Sequence, residues 1–314
     1  MTVPFFIHRL RMNGVLFFML PTRKERQAEL LARHSGMLRC PVCHGALTLI
    51  HTANTASLAC ANRHCFDVSR HGYVHLANAG YRSKYEQEMF LARRTISEKG
   101  FFSPLHAAVS EKLAEYAATS GEPLSVLDAG CGEGSHLARI REEVKARQPV
   151  AFVGAGVDLS KAGIALAAKA HPELIWCVGD LANAPFADNR FAAILNVLSP
   201  PNTREFARML KKDGLVIKVV PGERYLRELR ECLYVQPGNR TYSNAATIQR
   251  FAASFSLIDC ERVAYSFRLD QPSLAALIQM TPLTWGAEPE QLAKAHELEG
   301  GEISVEFTVL VGRK

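Results

Sequence analysis

No apolar run in this chain of 314 residues approaches the length that would cross a bilayer. The longest near the N-terminus, Val15-Leu16-Phe17-Phe18-Met19-Leu20, follows Phe5-Phe6-Ile7 with Arg9 and Arg11 between them. Neither run is followed by the small-residue cleavage site of a secretory signal. Internal repeats and low-complexity tracts are missing, which excludes solenoids and fibrous classes. No Gly-Lys-Ser/Thr follows a glycine loop, which excludes a P-loop. Charge of one sign is scarce too: the net charge of +6 permits an anionic partner such as nucleic acid but does not require one. The eight cysteines do not make a disulfide scaffold, which would be shorter and more evenly dense. Cys131, Cys177, Cys232 and Cys260 are scattered singly and read as buried small hydrophobes in a reducing cytoplasm. With 48% hydrophobic and 22% charged residues, the chain has the composition of a globular protein with one or two domains.

Four parts follow from the patterning. Residues 1–36 read as a flexible tail, an amphipathic arm or an upstream start; Met37, just before the first motif, favours the tail or start reading. Residues 37–76 are a Cys/His-rich module, 77–100 a basic polar connector, and 101–314 a larger α/β domain. In that last part, short apolar runs at Ser125–Ala129, Ala151–Val157, Leu174–Val178, Ala192–Val197 and Leu215–Val220 alternate with helical stretches such as Lys161–Ala170 and Thr203–Leu210. Strands spaced by helices imply parallel βαβ units in a doubly wound sheet. Ser256–Phe267 and Ile303–Val311 complete it as a hairpin, with Pro272–Leu298 as a helical insertion.

After the first strand comes Asp128-Ala129-Gly130-Cys131-Gly132-Glu133-Gly134, then a helix. Glycines let the backbone turn sharply and approach a ligand, and a strand–glycine loop–helix unit is where an open α/β sheet holds a nucleotide. The second strand ends at Asp158, 24 residues past Gly134, where a carboxylate can accept from both ribose hydroxyls. A dinucleotide site would have G-x-G-x-x-G; this chain has G-x-G-x-G, with Asp128 two residues before it. That negative charge disfavours a pyrophosphate and suits the cationic end of S-adenosylmethionine.

The cysteine cluster reads Cys40-x2-Cys43, sixteen residues, then Cys60-x3-His64. Two pairs of such ligands on two turns can close a tetrahedron around Zn2+. Cys65 is the alternative to His64, and adjacency alone does not decide between them; His44 and His51 read as solvent-facing. A zinc here has a structural role, holding together a piece too small for its own core. Residues 37–100 carry eight Lys/Arg against four Asp/Glu, with Tyr73, Tyr81, Tyr85 and Phe90 among them. Such a surface either stacks on unpaired bases or packs on the catalytic domain.

Taken in order, Cys-Pro-Val-Cys at 40–43, Cys60-x3-His64 with Phe66-Asp67, Gly72-Tyr73-Val74, Phe90-Leu91-Ala92-Arg93-Arg94, Gly100-Phe101-Phe102-Ser103-Pro104-Leu105, the 127–134 loop and Gln279-Met280-Thr281-Pro282 resemble the RlmA family. These are guanine-N1 methyltransferases of 23S rRNA, and the family includes tylosin-resistance enzymes. The resemblance spans about 37–314. It implies a class I methyltransferase fold, Rossmann-like with a mostly parallel seven-stranded sheet, preceded by a small zinc-binding domain. It implies Zn2+ at Cys40, Cys43, Cys60 and His64. It also implies S-adenosyl-L-methionine contacts at Asp128, Gly130, Gly132 and Asp158, at Phe102, at the pair His136 and Leu137, and at Tyr225, where other members can carry histidine. Asp180, at the end of the third strand, either contacts the adenine or simply closes the strand. The segments Arg82-Ser83-Lys84-Tyr85 and Asn196-Val197-Leu198-Ser199-Pro200-Pro201-Asn202 look more like the Gram-positive, macrolide-related branch, which implies an influence on tylosin-type susceptibility.

The implied reaction brings N1 of an unstacked guanine in a 23S rRNA hairpin in line with a sulfonium methyl and removes the N1 proton. A carboxylate or backbone carbonyl is the expected acceptor of that proton. The catalytic residues are not legible. Asn196 and Ser199, in the loop after the fourth strand, are acceptor-loop candidates; Asn196 either bonds the base edge or caps the strand. Ser199-Pro200-Pro201 is displaced from the Asn/Asp-Pro-Pro-Tyr motif of amino methyltransferases and lacks its aromatic. By analogy a long hairpin suits a homodimer, in the cytoplasm and with no membrane partner. Two other functions remain: a methyltransferase of small molecules with a structural zinc, and a zinc-dependent RNA-binding protein with a degenerate catalytic fold.

Overall fold

The structure, a computed structural model, describes residues 8–12, 15–19, 23–51, 56–77, 87–234 and 243–314. It opens with an antiparallel hairpin, β1 (His8–Met12) and β2 (Val15–Met19), then α1 (Arg23–His34). The Cys/His-rich segment forms β3 (Thr48–His51), β4 (Ala56–Ala59) and β5 (Cys65–Asp67), a small antiparallel sheet in that order. A two-residue strand, β6 (Val74–His75), follows. Then come α2 (Gln87–Glu98), α3 (Ser103–Ser120), β7 (Leu124–Ala129), α4 (Ser135–Arg147), β8 (Phe152–Asp158), α5 (Lys161–Ala170), β9 (Ile175–Val178), β10 (Phe191–Val197), α6 (Thr203–Met209) and β11 (Leu210–Pro221). The chain finishes with α7 (Arg227–Leu233), α8 (Ala245–Ala252), β12 (Ser256–Arg268), α9 (Gln271–Met280), α10 (Pro289–His296) and β13 (Glu302–Arg313).

The large sheet runs β12-β13-β11-β10-β7-β8-β9-β6, with β13 antiparallel to both its neighbours. The order reverses between β7 and β10. The carboxyl ends of those two strands therefore flank the crevice where an open α/β sheet binds its ligand. β9 and β10 are buried at every position, as strands covered on both faces must be. Alternation sends Val126 of β7 into a core shared with α3, α4 and α5, and Leu127 into a second core on the opposite face. Helix starts are fixed locally. Ser160, Asn202 and Asp270 accept from the backbone N–H groups of Gly163, Glu205 and Ser273, and Gly121 closes α3 in a left-handed turn.

Seven of the strands are those the sequence predicts, with the late hairpin and its helical insertion in place. The eighth is β6, which pairs Val74 with Cys177 and His75 with Val178, so the small module extends the edge of the large sheet. Two residues carry too little periodicity to announce a strand. The second core joins Leu38, Leu47 and Leu58 of the module to Ala155, Val157 and Phe186 of the large domain. Residues 23–34, expected within a flexible tail or extension, are helical, and Ala28 and Leu31 bury into that core. Among the described residues no helix is long and apolar enough to cross a membrane.

Candidate active site and metal centre

The ligand atoms of Cys40, Cys43, Cys60 and His64 all lie within 4.8 Å of one another. Sγ of Cys43 is 3.6 Å from Sγ of Cys60, and Nδ1 of His64 is 3.5 and 3.3 Å from the sulfurs of Cys40 and Cys60. A tetrahedron with Zn–S near 2.3 Å and Zn–N near 2.0–2.1 Å requires separations of about 3.8 and 3.6 Å, so the donor set fits a zinc ion. Cys65, the alternative ligand, is exposed on β5 and outside this group. Reversals make the two knuckles: His44 and Arg63 take positive φ, and the N–H of His44 donates to the Cys40 carbonyl and that of Arg63 to the Cys60 carbonyl.

The metal knuckle rests on the loop after β9. Asn183 donates to the Pro41 carbonyl at 2.8 Å and its Oδ1 meets His44 Nε2 at 3.1 Å, so His44 is exposed yet partnered. The Arg39 guanidinium reaches Glu205 at 3.2 Å, and Arg208 reaches the same carboxylate at 2.8 Å. Glu205 is buried, and the two guanidiniums hold its carboxyl below the usual range despite that burial. Tyr73 and Phe90, candidates for base stacking, are buried, so packing is what these two rings do. Tyr81, Tyr85 and the Arg82–Tyr85 segment lie outside the described residues, as does the side chain of His51.

The glycine loop turns at Gly130, Gly132 and Gly134, all with positive φ. At Gly130 a Cβ would sit 2.0 Å from Ser199 Oγ, so only glycine lets the loop after β10 close on the loop after β7. Asp158 Oδ2 accepts from Gly132 N–H at 2.9 Å and Oδ1 from Ser160 N–H at 2.7 Å, leaving one acceptor site on each oxygen for other donors. Asp128 is different: it is buried, and neither oxygen has a hydrogen-bond partner. Burial first, then the nearby Asp158 and Glu133, push its carboxyl up to about 8. An orphaned buried carboxylate beside a left-handed glycine turn is a cradle for a cationic ligand, and the methionine end of S-adenosylmethionine fits it.

Phe102 packs edge-on against His136 at 4.7 Å, and His136 Nδ1 lies 2.9 Å from His106 Nε2. Burial pushes His106 down to about 4 and His136 well below its ordinary value, so both rings are neutral. Tyr225 lies 5.1 Å from Phe307, ring to ring, and burial pushes its phenol up. The Leu137 side chain, in the first turn of α4, is fully buried in the core next to Gly154 and does not line the cavity. Asp180 caps the turn after β9, its Oδ1 accepting from Ala182 N–H at 2.8 Å.

A cavity of about 1240 Å3 opens at the carboxyl ends of β10 and β11. It brings together Phe102, His136, Tyr225 and Ser199. Asn196 faces inward instead: its Nδ2 donates to the Ala129 carbonyl at 2.8 Å and its Oδ1 accepts from Lys218 at 2.6 Å. It fastens the two loops together rather than meeting a base edge. Residues the sequence reading missed also line the cavity, namely Arg93, Lys218, Arg230 and Arg250; among the described residues no carboxylate does. One signal was present for Lys218: it is the single charge in the buried run Leu215-Val216-Ile217-Lys218-Val219-Val220.

Comparison with known proteins adds the following. A family model described as RlmA, N-terminal, matches residues 38–79, and one described as methyltransferase domain matches 126–214. The chain is 43% identical over 280 residues to a Bacillus subtilis (strain 168) protein named "Putative 23S rRNA (guanine-N(1)-)-methyltransferase YxjB", covering 88% of this chain and 97% of that one. It is 34% identical over 281 residues to the 23S rRNA (guanine(748)-N(1))-methyltransferase of Streptomyces fradiae, covering 87% and 95%.

Proposed function

This chain belongs to the family of 23S rRNA (guanine-N1)-methyltransferases, and from that we propose that it methylates N1 of one guanine in a 23S rRNA hairpin loop. It is an S-adenosylmethionine-dependent enzyme with a zinc ribbon. S-adenosylmethionine supplies an electrophilic methyl on a sulfonium centre. The observation that carries the reading is a pair of unlike regions at the carboxyl ends of the central strands. Asp128 and Asp158 flank the glycine loop, with Arg93 close to both; Arg230 and Arg250 line a cavity without a carboxylate among the described residues. The acidic region suits a cationic donor, and the basic region suits a phosphate-bearing acceptor.

In this reading Asp128 pairs with the ammonium of the donor, Gly130 and Gly132 let its methionine part approach the backbone, and Asp158 accepts from its ribose hydroxyls. The first-turn amides of α4 at His136 and Leu137 donate to it, and Phe102 and Tyr225 wall it off from water. Asp180 keeps one carboxylate oxygen beyond its cap for the adenine. Cys40, Cys43, Cys60 and His64 hold zinc, which braces residues 37–76 against the loop that follows Asp180. Residues 101–314 form the catalytic domain, 77–100 connect the two, and Ser199 borders the acceptor. A hairpin gripped on several sides suits a homodimer, acting in the cytoplasm where the ribosome is built. Methylation of a drug-binding hairpin alters susceptibility to tylosin-type macrolides.

The test is incubation with tritiated S-adenosylmethionine and unmodified 23S rRNA, followed by primer extension. A reverse-transcriptase stop at one hairpin guanine supports the proposal, because N1 methylation blocks Watson–Crick pairing. Donor binding without a stop, and methylation of a small acceptor with no RNA requirement, would refute it.

A further inference from the structure

We propose that Lys218 accepts the N1 proton of the target guanine; this rests on the reading of the crevice as a guanine-N1 methyltransferase site. Guanine N1 carries a proton and is a poor nucleophile until that proton leaves. A carboxylate is the usual acceptor, yet among the described residues none lines the cavity. His136 lines it, but its Nδ1 is engaged with His106 and burial weakens the ring as a base. That leaves Lys218.

The surroundings of Lys218 accommodate a neutral amine. Lys218 stands near the carboxyl end of β11, 4% exposed, and its side chain lines the cavity. Nζ donates to Asn196 Oδ1 at 2.6 Å and to the Ser199 carbonyl. A neutral amine has two N–H groups and one lone pair. Both N–H groups are used by these two neutral acceptors, and the lone pair is left for a proton from the cavity. No ion pair holds the charged form in place: none of the salt bridges among the described residues involves Lys218. The titratable groups that share the cavity are Arg93 from α2, His136 from α4, Tyr225 and Arg230 around α7, Tyr234, and Arg250 from α8, none of them an anion at neutral pH. Burial alone acts on the amine and brings it down to about 8. At pH 7.5 about a quarter of the molecules therefore carry it neutral. The Asn196 amide oxygen and the Ser199 backbone carbonyl thus aim the base, and Asn196 ties it to the glycine loop through the Ala129 carbonyl.

The step balances without another reactant. The N1–H bond breaks and its proton joins the Lys218 lone pair. The freed nitrogen pair forms the N1–carbon bond, and the carbon–sulfur bond of the donor breaks with its pair left on sulfur. Lys218 then returns the proton to water when product leaves.

The experiment compares Lys218→Met and Lys218→Arg with the unsubstituted chain on 23S rRNA, and follows lysine titration by NMR of protein carrying 13C at lysine Cε. Arginine keeps donors and charge but has no lone pair to offer at any accessible pH. We expect kcat to fall at least 100-fold in both variants. Calorimetric affinity for the donor and KM for RNA should stay within threefold. The kcat of the unsubstituted chain should rise with pH and level off above about 8, and one lysine should titrate near about 8 in the absence of RNA and donor, missing from Lys218→Met. The NMR titration needs no activity, so it reads Lys218 even if a variant folds poorly. Arginine activity within tenfold of the original, or titration of Lys218 near its ordinary 10.5, would overturn the proposal. If the unsubstituted chain forms no 1-methylguanosine, the functional reading fails first and takes this inference with it.

Discussion

Replacing Asp128 by Asn should stabilise the unliganded protein and cripple donor binding, an opposition that only a ligand-poised carboxylate produces. Asp128 is buried with both oxygens unpartnered, and its carboxyl is pushed from 3.8 up to about 8 by burial, Asp158 and Glu133. Between those pH values the unfolded chain has lost this proton and the folded one keeps it. Stability therefore falls as pH rises from about 4 to about 8 and levels off beyond. At pH 7 the accumulated cost is about 4 kcal/mol, at 1.36 kcal/mol per pK unit. Asn removes that cost but buries an amide with no partner, which returns about half of it. The net expectation is a stabilisation of about 2 kcal/mol and a Tm higher by about 3 °C. Donor binding brings an ammonium to Asp128 and draws it to the ionised form. Calorimetry at pH 7 should show release of close to one proton, read as enthalpies that differ between phosphate and Tris. In Asp128→Asn the proton release should vanish and affinity fall about 100-fold, or about 2.7 kcal/mol. Unchanged affinity, together with no proton release in the original chain, would refute the assignment.

Other perturbations separate the parts of the structure. Cys60→Ala removes one of four clustered ligands and should abolish stoichiometric zinc by elemental analysis, with loss of the module's fold by circular dichroism; full zinc retention would point to Cys65 as a substitute ligand. Gly130→Ala places a Cβ 2.0 Å from Ser199 Oγ at φ +83 and should cost about 1–3 kcal/mol in denaturant unfolding, with reduced kcat as the Ser199 loop is displaced. Glu205→Gln leaves Arg39 and Arg208 without their shared carboxylate and should destabilise the chain by about 3 kcal/mol, loosening the zinc module as measured by limited proteolysis between the two parts.

Legibility followed the range of the interactions involved. The glycine loop, the acids at 128 and 158, the cysteine spacing and seven strands are set within a few residues of chain, and periodicity and turn chemistry display them. The features that stayed hidden are set across the fold. β6 is two residues long and exists because β9 offers an edge. Tyr73 and Phe90 read as a stacking surface beside basic residues, but tertiary packing takes them inside. Asn196 read as a possible substrate contact; Lys218, 22 residues away, and the Ala129 carbonyl claim both ends of its amide. The helix at 23–34 shows its apolar side only once Leu31 has a core to enter.

The most direct test is nucleoside mass spectrometry of unmodified 23S rRNA after incubation with the protein and S-adenosylmethionine. The account predicts one 1-methylguanosine per rRNA molecule, formed far more slowly when Asp128→Asn replaces the original chain at limiting S-adenosylmethionine. An unmodified nucleoside profile, or methylation at any position other than guanine N1, would contradict it.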